Sequence, residues 1–267
     1  MSRFLALRSV ETIRVRSLPA PLLSALPDFS QADAMPPQTA SKEAAPKPAG
    51  NTVRHDLGFF VGAEPLLQRG KTDETSAIRA LAGLRTDQFF SVLTDKPQAQ
   101  GVFRYQLFMC AVFGHLHPVS SRAQHTADLP ITLRNNLRGR SEAELFFHQF
   151  LSRLHDADPA YLAAIELAPE VLVAALDRTL RNTLPVEGGP GIVAAIGHGD
   201  LLVVACRGQA HLSYQMVSGQ NQPETAITLV VGDLLAENHA AGFCPVPANK
   251  ALLVSKRGAS ASLCPLV

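Results

Sequence analysis

The chain has 267 residues, 46% of them hydrophobic, which is enough apolar material for a sizeable core and too much for a disordered protein. Lys plus Arg number 24 against 23 Asp plus Glu, so no net field draws the chain toward nucleic acid or an anionic membrane. No apolar stretch approaches the ~20 residues that span a bilayer, and Arg8, Arg14 and Arg16 interrupt the N-terminal apolar residues where a secretory signal would need continuity, so a cytoplasmic location is expected.

In chain order, Phe4 to Leu7 reads as a buried first strand. Between Ser30 and Thr52, Pro36, Pro37, Pro46 and Pro48 stand among Ala, Ser, Lys and Gln, a composition that reads as a surface insertion interrupting one domain that spans residues 1–267. A helix is expected from Thr72 to Leu84, starting at a Thr/Asp cap, followed by a strand at Phe89–Leu93. Phe108 to Phe113 is continuously apolar, as in a strand covered on both faces. Ser141 and Glu144 have the spacing of a capping box that opens a helix carrying Leu145, Phe146, Phe147, Phe150, Leu151 and Leu154. Helices are expected at Pro159–Leu167 and Pro169–Leu184. The last third is strand-rich, at Ile192–Ile196, Leu201–Cys206, His211–Val217, Ile227–Val231 and Ala251–Val254. Gly188 to Gly191 lacks the Lys-Ser/Thr of a phosphate loop and reads as a turn between helix and strand.

Metal and thiol chemistry find little support. The nine histidines include His115, His117, His198, His211 and His239 but no His-Glu-x-x-His, and no Cys/His group has zinc spacing, so neither a metal nor another cofactor is expected. Cys110, Cys206, Cys244 and Cys264 are widely spaced among apolar neighbours and are expected to be reduced and mostly buried. The basic run Arg134, Arg138, Arg140 is the solvated face of an ordinary surface segment.

The opening Met1-Ser2-Arg3-Phe4-Leu5-Ala6 points to a different chemistry. Once an initiator methionine is trimmed, the α-amine of a small second residue can act as general base for its own hydroxyl or thiol. Further blocks follow in order: Leu18 to Leu26, Asp56-Leu57-Gly58-Phe59-Phe60-Val61-Gly62, Phe103 to Gly114, Gly139 to Phe147, and Phe243 to Val254. Taken together they resemble the class II glutamine amidotransferases, of the stand-alone type that opens Met-Cys-Arg-Phe-Leu-Ala. The resemblance implies an α/β fold of the N-terminal-nucleophile hydrolase type, a four-layer αββα sandwich, with position 2 at the end of a central strand near Gly114 and the Asp56–Gly62 strand.

The departures fall on the residues that do the family's chemistry. Ser2 stands where the family has its nucleophilic cysteine. Ser91-Val92-Leu93-Thr94 stands where a His-Val-Arg segment supplies the arginine that grips the substrate's α-carboxylate, and Val112-Phe113-Gly114 where His-Asn-Gly builds the oxyanion hole, leaving only Gly114. Glu142 corresponds to the aspartate that holds the α-amine. Loss of one oxyanion donor alone costs about 3 kcal/mol of transition-state stabilisation, and an Arg–carboxylate fork is a strong, geometry-specific contact.

Two readings follow. In the first, the chain is a degenerate amidotransferase-like subunit, without glutaminase activity, that binds a protein partner such as a synthetase or an active relative, or forms an oligomer. In the second, Ser2 is the nucleophile of an amidohydrolase acting on a γ-glutamyl or other amide. The site residues implied are Ser2, Gly114 and Glu142.

Overall fold

The computed structural model of the chain describes residues 3–14, 53–72, 77, 80–81, 83–94, 100–114, 116, 122–139, 141–183, 191–219, 222–233, 242–247, 249–256 and 260–266. The inserted segment expected at 30–52 lies outside them. Among the described residues, thirteen strands form two sheets. They are β1 (Arg3–Arg14), β2 (Val53–Val61), β3 (Glu64–Thr72), β4 (Arg85–Thr94), β5 (Gly101–Tyr105), β6 (Phe108–Gly114), β7 (Ile192–His198), β8 (Leu201–Arg207), β9 (His211–Gly219), β10 (Gln222–Asp233), β11 (Cys244–Pro245), β12 (Lys250–Ser255) and β13 (Ser260–Pro265). The seven-stranded sheet has the order β11-β9-β10-β1-β4-β2-β3, and the six-stranded sheet β13-β12-β8-β7-β6-β5, with every neighbouring pair antiparallel.

Strand periodicity explains the layers. Along β6, Met109, Ala111 and Phe113 face the other sheet and meet Phe4, Ala6, Phe90 and Val92 in the core between the sheets. Phe108, Cys110 and Val112 face the other way, into a second core with the helices α3 (Glu142–Ala157) and α4 (Pro169–Thr183). An antiparallel sheet often leaves one face to water; the unbroken apolar run of β6 is the mark of a strand with no wet face. On the outer side of the larger sheet Leu5, Leu7, Leu57 and Phe89 are buried, as are the helical residues Ala77 and Leu81. The layer order is thus helix, sheet, sheet, helix, an αββα sandwich. At one flank the two sheets are tied together by side chains: Arg69 of β3 donates to the Val102 carbonyl of β5, and Arg104 Nη1 of β5 donates to the Pro65 carbonyl of β3 at 2.8 Å.

Three local expectations need correction. Thr72 does not start a helix; it closes β3, paired with Val53, and described helical residues appear only from Ala77. Pro159–Leu167 is a short 3-10 turn at Pro159–Leu162, where the Asp158 carboxylate accepts from the Ala160 N–H and the carbonyls of Asp158 and Ala160 accept from the amides three residues on. The capping box does not form either. Ser141 makes no side-chain cap bond at the start of α3, and the Glu144 carboxylate reaches instead to the amides of Arg138 and Gly139, at 3.0 and 2.7 Å. Those amides end the segment after the short helices α1 (Arg122–Ala127) and α2 (Ile131–Asn136), which have little hydrophobic periodicity to announce them: α1 buries no residue and α2 only Leu133.

Candidate functional site

The strand registers gather one set of chain segments at one end of the sandwich. β1 is the central strand of its sheet, and its first residues pair Arg3 with Leu93 and Phe4 with Val92. Beyond β4, Arg54 of β2 pairs with Thr94. In the facing sheet β6 ends at Gly114, opposite Ile192, and Val112 pairs with Gly101. The two sheets meet at this end through the Phe4 and Phe113 rings, 6.3 Å apart. Ser2, which precedes β1, lies outside the described residues, as do His115, His117 and His239.

Gly114 occupies a conformation that suits glycine alone, with φ +125°. A Cβ there would run into the Gly191 carbonyl and come within 2.8 Å of Ile192 Cα. The Gln100 side-chain amide donates to the Gly114 carbonyl at 3.1 Å, which fixes the strand end from the β5 side. The position before it is not polar. Phe113 is fully buried, and so is Val92 of the segment aligned with the carboxylate-gripping arginine; both belong to the apolar core between the sheets. Ser91 points out of the opposite face, where its Oγ lies 3.1 Å from His55 Nε2. Burial holds the His55 imidazole below its ordinary pKa, against the pull of the Asp56 charge.

Charge returns to this end from β2, whose Asp56–Gly62 segment the sequence pointed to, through a pairing that it did not. Arg54 grips the fully buried Asp56 carboxylate with both arms of its fork, Nε to Oδ1 at 2.7 Å and Nη2 to Oδ2 at 2.9 Å. Asp56 Oδ2 also accepts from the Val102 N–H at 3.3 Å and lies 3.5 Å from Arg69 Nε. Burial lowers the Arg69 pKa, with Asp56 opposing the shift, and its guanidinium sits 4.9 Å from the centre of the Phe103 ring. A guanidinium absent from 91–94 therefore stands one strand away, across from Thr94. The available signal was the period-two spacing of Arg54 and Asp56, which puts both on one face. The fork is committed to a carboxylate of its own chain.

Glu142, the first residue of α3, is likewise engaged within the chain. Its Oε1 accepts from Arg122 Nη1 at 3.0 Å, and its Oε2 is buried without a hydrogen-bond partner. The contacts of Glu142 and Gly114 are separate: the first is tied to α1, the second to β5 and β7. His198 is at the opposite end of β7, stacked on Phe108 at 4.4 Å with Nε2 against the Ala164 carbonyl at 2.8 Å. Of the thiols, Cys110 and Cys206 are buried, whereas Cys244 is exposed and Cys264 half-buried, so the expectation of mostly buried cysteines holds for two of the four. Among the described residues no group of three His, Cys, Asp or Glu is placed to hold a metal, and no helix is long and apolar enough to cross a membrane.

Comparison with solved structures decides the architecture. A glutamine aminotransferase class-II domain protein from Silicibacter pomeroyi superposes with a TM-score of 0.59 at 14% identity, covering 99% of both chains. The chain has the fold of the class II glutamine amidotransferases. A predicted glutamine amidotransferase from Pseudomonas aeruginosa PA01 gives a TM-score of 0.53 at 12% identity over 97% of this chain and 98% of that one. The glutamine phosphoribosylpyrophosphate amidotransferase of B. subtilis gives 0.56 at 13% identity, covering 99% of this chain but 49% of that longer one. No protein-family model and no curated protein matches the chain in sequence. The αββα amidotransferase sandwich therefore persists here with few of its residues in common.

Proposed function

We propose that this chain is a degenerate class II glutamine amidotransferase-like protein, a single domain that has lost glutaminase activity and acts in the cytoplasm as a non-catalytic subunit of a protein complex. One observation carries the reading. Phe113, at the position aligned with the oxyanion asparagine, turns its ring into the core against Phe4. A phenyl group donates no hydrogen bond, and a developing oxyanion beside Gly114 keeps at most a backbone N–H. Arg54 and Glu142 agree with this in direction, since each spends its charge on a partner in the same chain.

The second reading, Ser2 as nucleophile toward an amide other than free glutamine, draws support from the retained glycine-only geometry of Gly114 at the end of β6. Purified protein is expected to release no glutamate from glutamine, and Ser2→Cys to leave it inactive, because a thiol repairs one of several losses and groups that act as a unit do not recover singly. Co-purification from the native host is expected to recover a synthetase or an active amidotransferase, and Ser2→Ala to retain that partner. Glutamate release from Ser2→Cys would refute the degenerate reading; an amidase activity abolished by Ser2→Ala in a folded protein would establish the second.

A further inference from the structure

An open sheet has two edges, and each edge offers unpaired backbone groups to any other chain. Among the described residues the two sheets have four edges, and three of them are blocked. On β5 the Val102 N–H donates to Asp56 Oδ2 at 3.3 Å and its carbonyl accepts from Arg69, so side chains of the larger sheet take the outward groups. On β3 the exposed Glu64, Arg69 and Lys71 set charge along the edge, a common deterrent to pairing. β11 is two residues long, and one of them is Pro245. The fourth edge is β13, which reads Ser-Ala-Ser-Leu-Cys-Pro and carries no charged residue.

The register fixes which backbone groups of β13 face outward. In an antiparallel pair the residues that exchange hydrogen bonds alternate with those that do not. The Leu266 N–H donates to the Asn249 carbonyl at 2.8 Å, directly beyond the Pro265–Lys250 pair, so Cys264, Ser262 and Ser260 are the residues that bond β12. The other side of β12 agrees. There the Lys256 N–H donates to the Asp200 carbonyl at 2.9 Å, which puts Val254 and Leu252, the partners of Ala261 and Leu263, in the set that bonds β8. The N–H and C=O groups of Ala261 and Leu263 therefore point away from the sheet, and they have no partner among the described residues. Pro265 stands in the same outward set, where its missing N–H takes no bond from β12. The side chains are also incompletely covered: Ala261 and Leu263 lean on the core between the sheets, Cys264 and Leu266 on the helical core, and all four are only half-buried.

We propose that β13 pairs antiparallel with β13 of a second copy of this chain across a two-fold axis, joining the two six-stranded sheets into one continuous sheet. The absence of charge selects this occupant. A two-fold axis sets each residue near its own copy, so an edge bearing Lys or Glu would meet like charge, whereas β13 meets only Ser, Ala, Leu, Cys and Pro. With Leu263 opposite its own copy, the outward groups exchange N–H···O=C bonds about the axis. The pairing is independent of the Gly114 end and of any glutaminase activity there.

The test is sedimentation equilibrium of the purified full-length chain with no other protein present. One strand edge is a small contact beside the roughly 1,600 Å² of a standard interface, so a reversible dimer with a Kd of about 1–100 µM is expected. Ala261→Pro removes an outward N–H and leaves every bond to β12 in place; Ser262→Lys sets like charges near the axis. Each is expected to raise the Kd roughly tenfold or more with the far-UV circular dichroism unchanged. An equimolar mixture of Ser262→Lys and Ser262→Asp is expected to regain the dimer, because the opposite charges then lie side by side. A single-chain mass at about 500 µM, a dimer indifferent to either variant, or no recovery in the mixture would overturn the proposal.

Discussion

The Phe4 ring lies 6.3 Å from the Phe113 ring, inclined at 31°, and the pair closes the space between the two sheets at the end where β1 begins and β6 stops. In an N-terminal-nucleophile architecture that end is the one that would need polar donors. Here Phe113 is buried in the core between the sheets, so position 113 is structural. Phe113→Ala is expected to cost about 3–5 kcal/mol, the usual range for emptying a buried phenylalanine site. Phe113→Asp should cost more, because a carboxylate would be buried there without a partner. Urea unfolding measures both. A Phe113→Asp protein as stable as the parent would mean that this face opens to water or to a partner.

Gly114 should tolerate no side chain. Its φ of +125° is unfavourable for any L-residue and a Cβ would collide with the Gly191 carbonyl, so Gly114→Ala is expected to lose at least about 1–3 kcal/mol. A neutral result in denaturant unfolding would show that the β6 end can rearrange, and that the geometry is no relic of a catalytic requirement.

Much of this architecture can be read from the chain. β6 is legible because both of its faces are covered, and β7 and β8 are legible for the same reason: Ile192–Ile196 and Leu201–Cys206 are buried throughout. The helix at Glu142–Ala157 shows in the spacing of its aromatic residues. β3, β5 and β13 escape notice because edge strands are short or half-wet and carry no strict alternation, as in the Gln68–Lys71 run of exposed residues. At the site, Gly114 and the apolar residue before it, Phe113, stand out by motif spacing. The Arg54–Asp56 pair is not, because its meaning depends on which strand lies beside Thr94, a long-range fact that no local pattern carries.

Thiol reactivity should sort the four cysteines. Burial pushes the Cys110 thiol well above its usual value and the Cys206 thiol up to about 11, while Cys244 is exposed and Cys264 half-buried. Only thiolates react with disulfide reagents. At pH 8 native protein is expected to label first at Cys244, then at Cys264, with Cys110 and Cys206 labelling only in denaturant, as read by peptide mass spectrometry. Rapid native labelling of Cys206 would contradict the packing between the sheets.

Acid should weaken the fold through its histidines. Burial holds His55, His148 and His198 below the ordinary imidazole value. As the pH falls through about 6.5 the unfolded chain takes up protons that the folded chain still refuses. Stability from these rings is therefore complete above that pH and declines below it. His198→Asn is expected to be less stable at pH 7.5, having lost the Phe108 stack, but to show a shallower fall in urea midpoint between pH 7.5 and 5.5. An unchanged slope would mean that His198 does not contribute.

Glu144 rather than Ser141 should matter to the start of α3. Glu144→Ala removes two hydrogen bonds to the Arg138 and Gly139 amides, which for solvent-exposed groups amounts to about 1 kcal/mol. Ser141→Ala should cost less, the reverse of what a capping box requires. Thermal melts of the two variants separate the alternatives.

The reciprocal bonds at the β3–β5 flank, Arg69 to Val102 and Arg104 to Pro65, constrain how the sandwich can move. Each sheet supplies one donor and one acceptor, so sliding one sheet along the other stretches both bonds together. A rotation about the flank leaves them intact. Arg8 to the Gly199 carbonyl and Lys256 to Asp87 bond the two sheets again farther across, so the layers are held against sliding at more than one place, and the amides of β6, β7 and β8 between these ties are expected to exchange deuterium slowly.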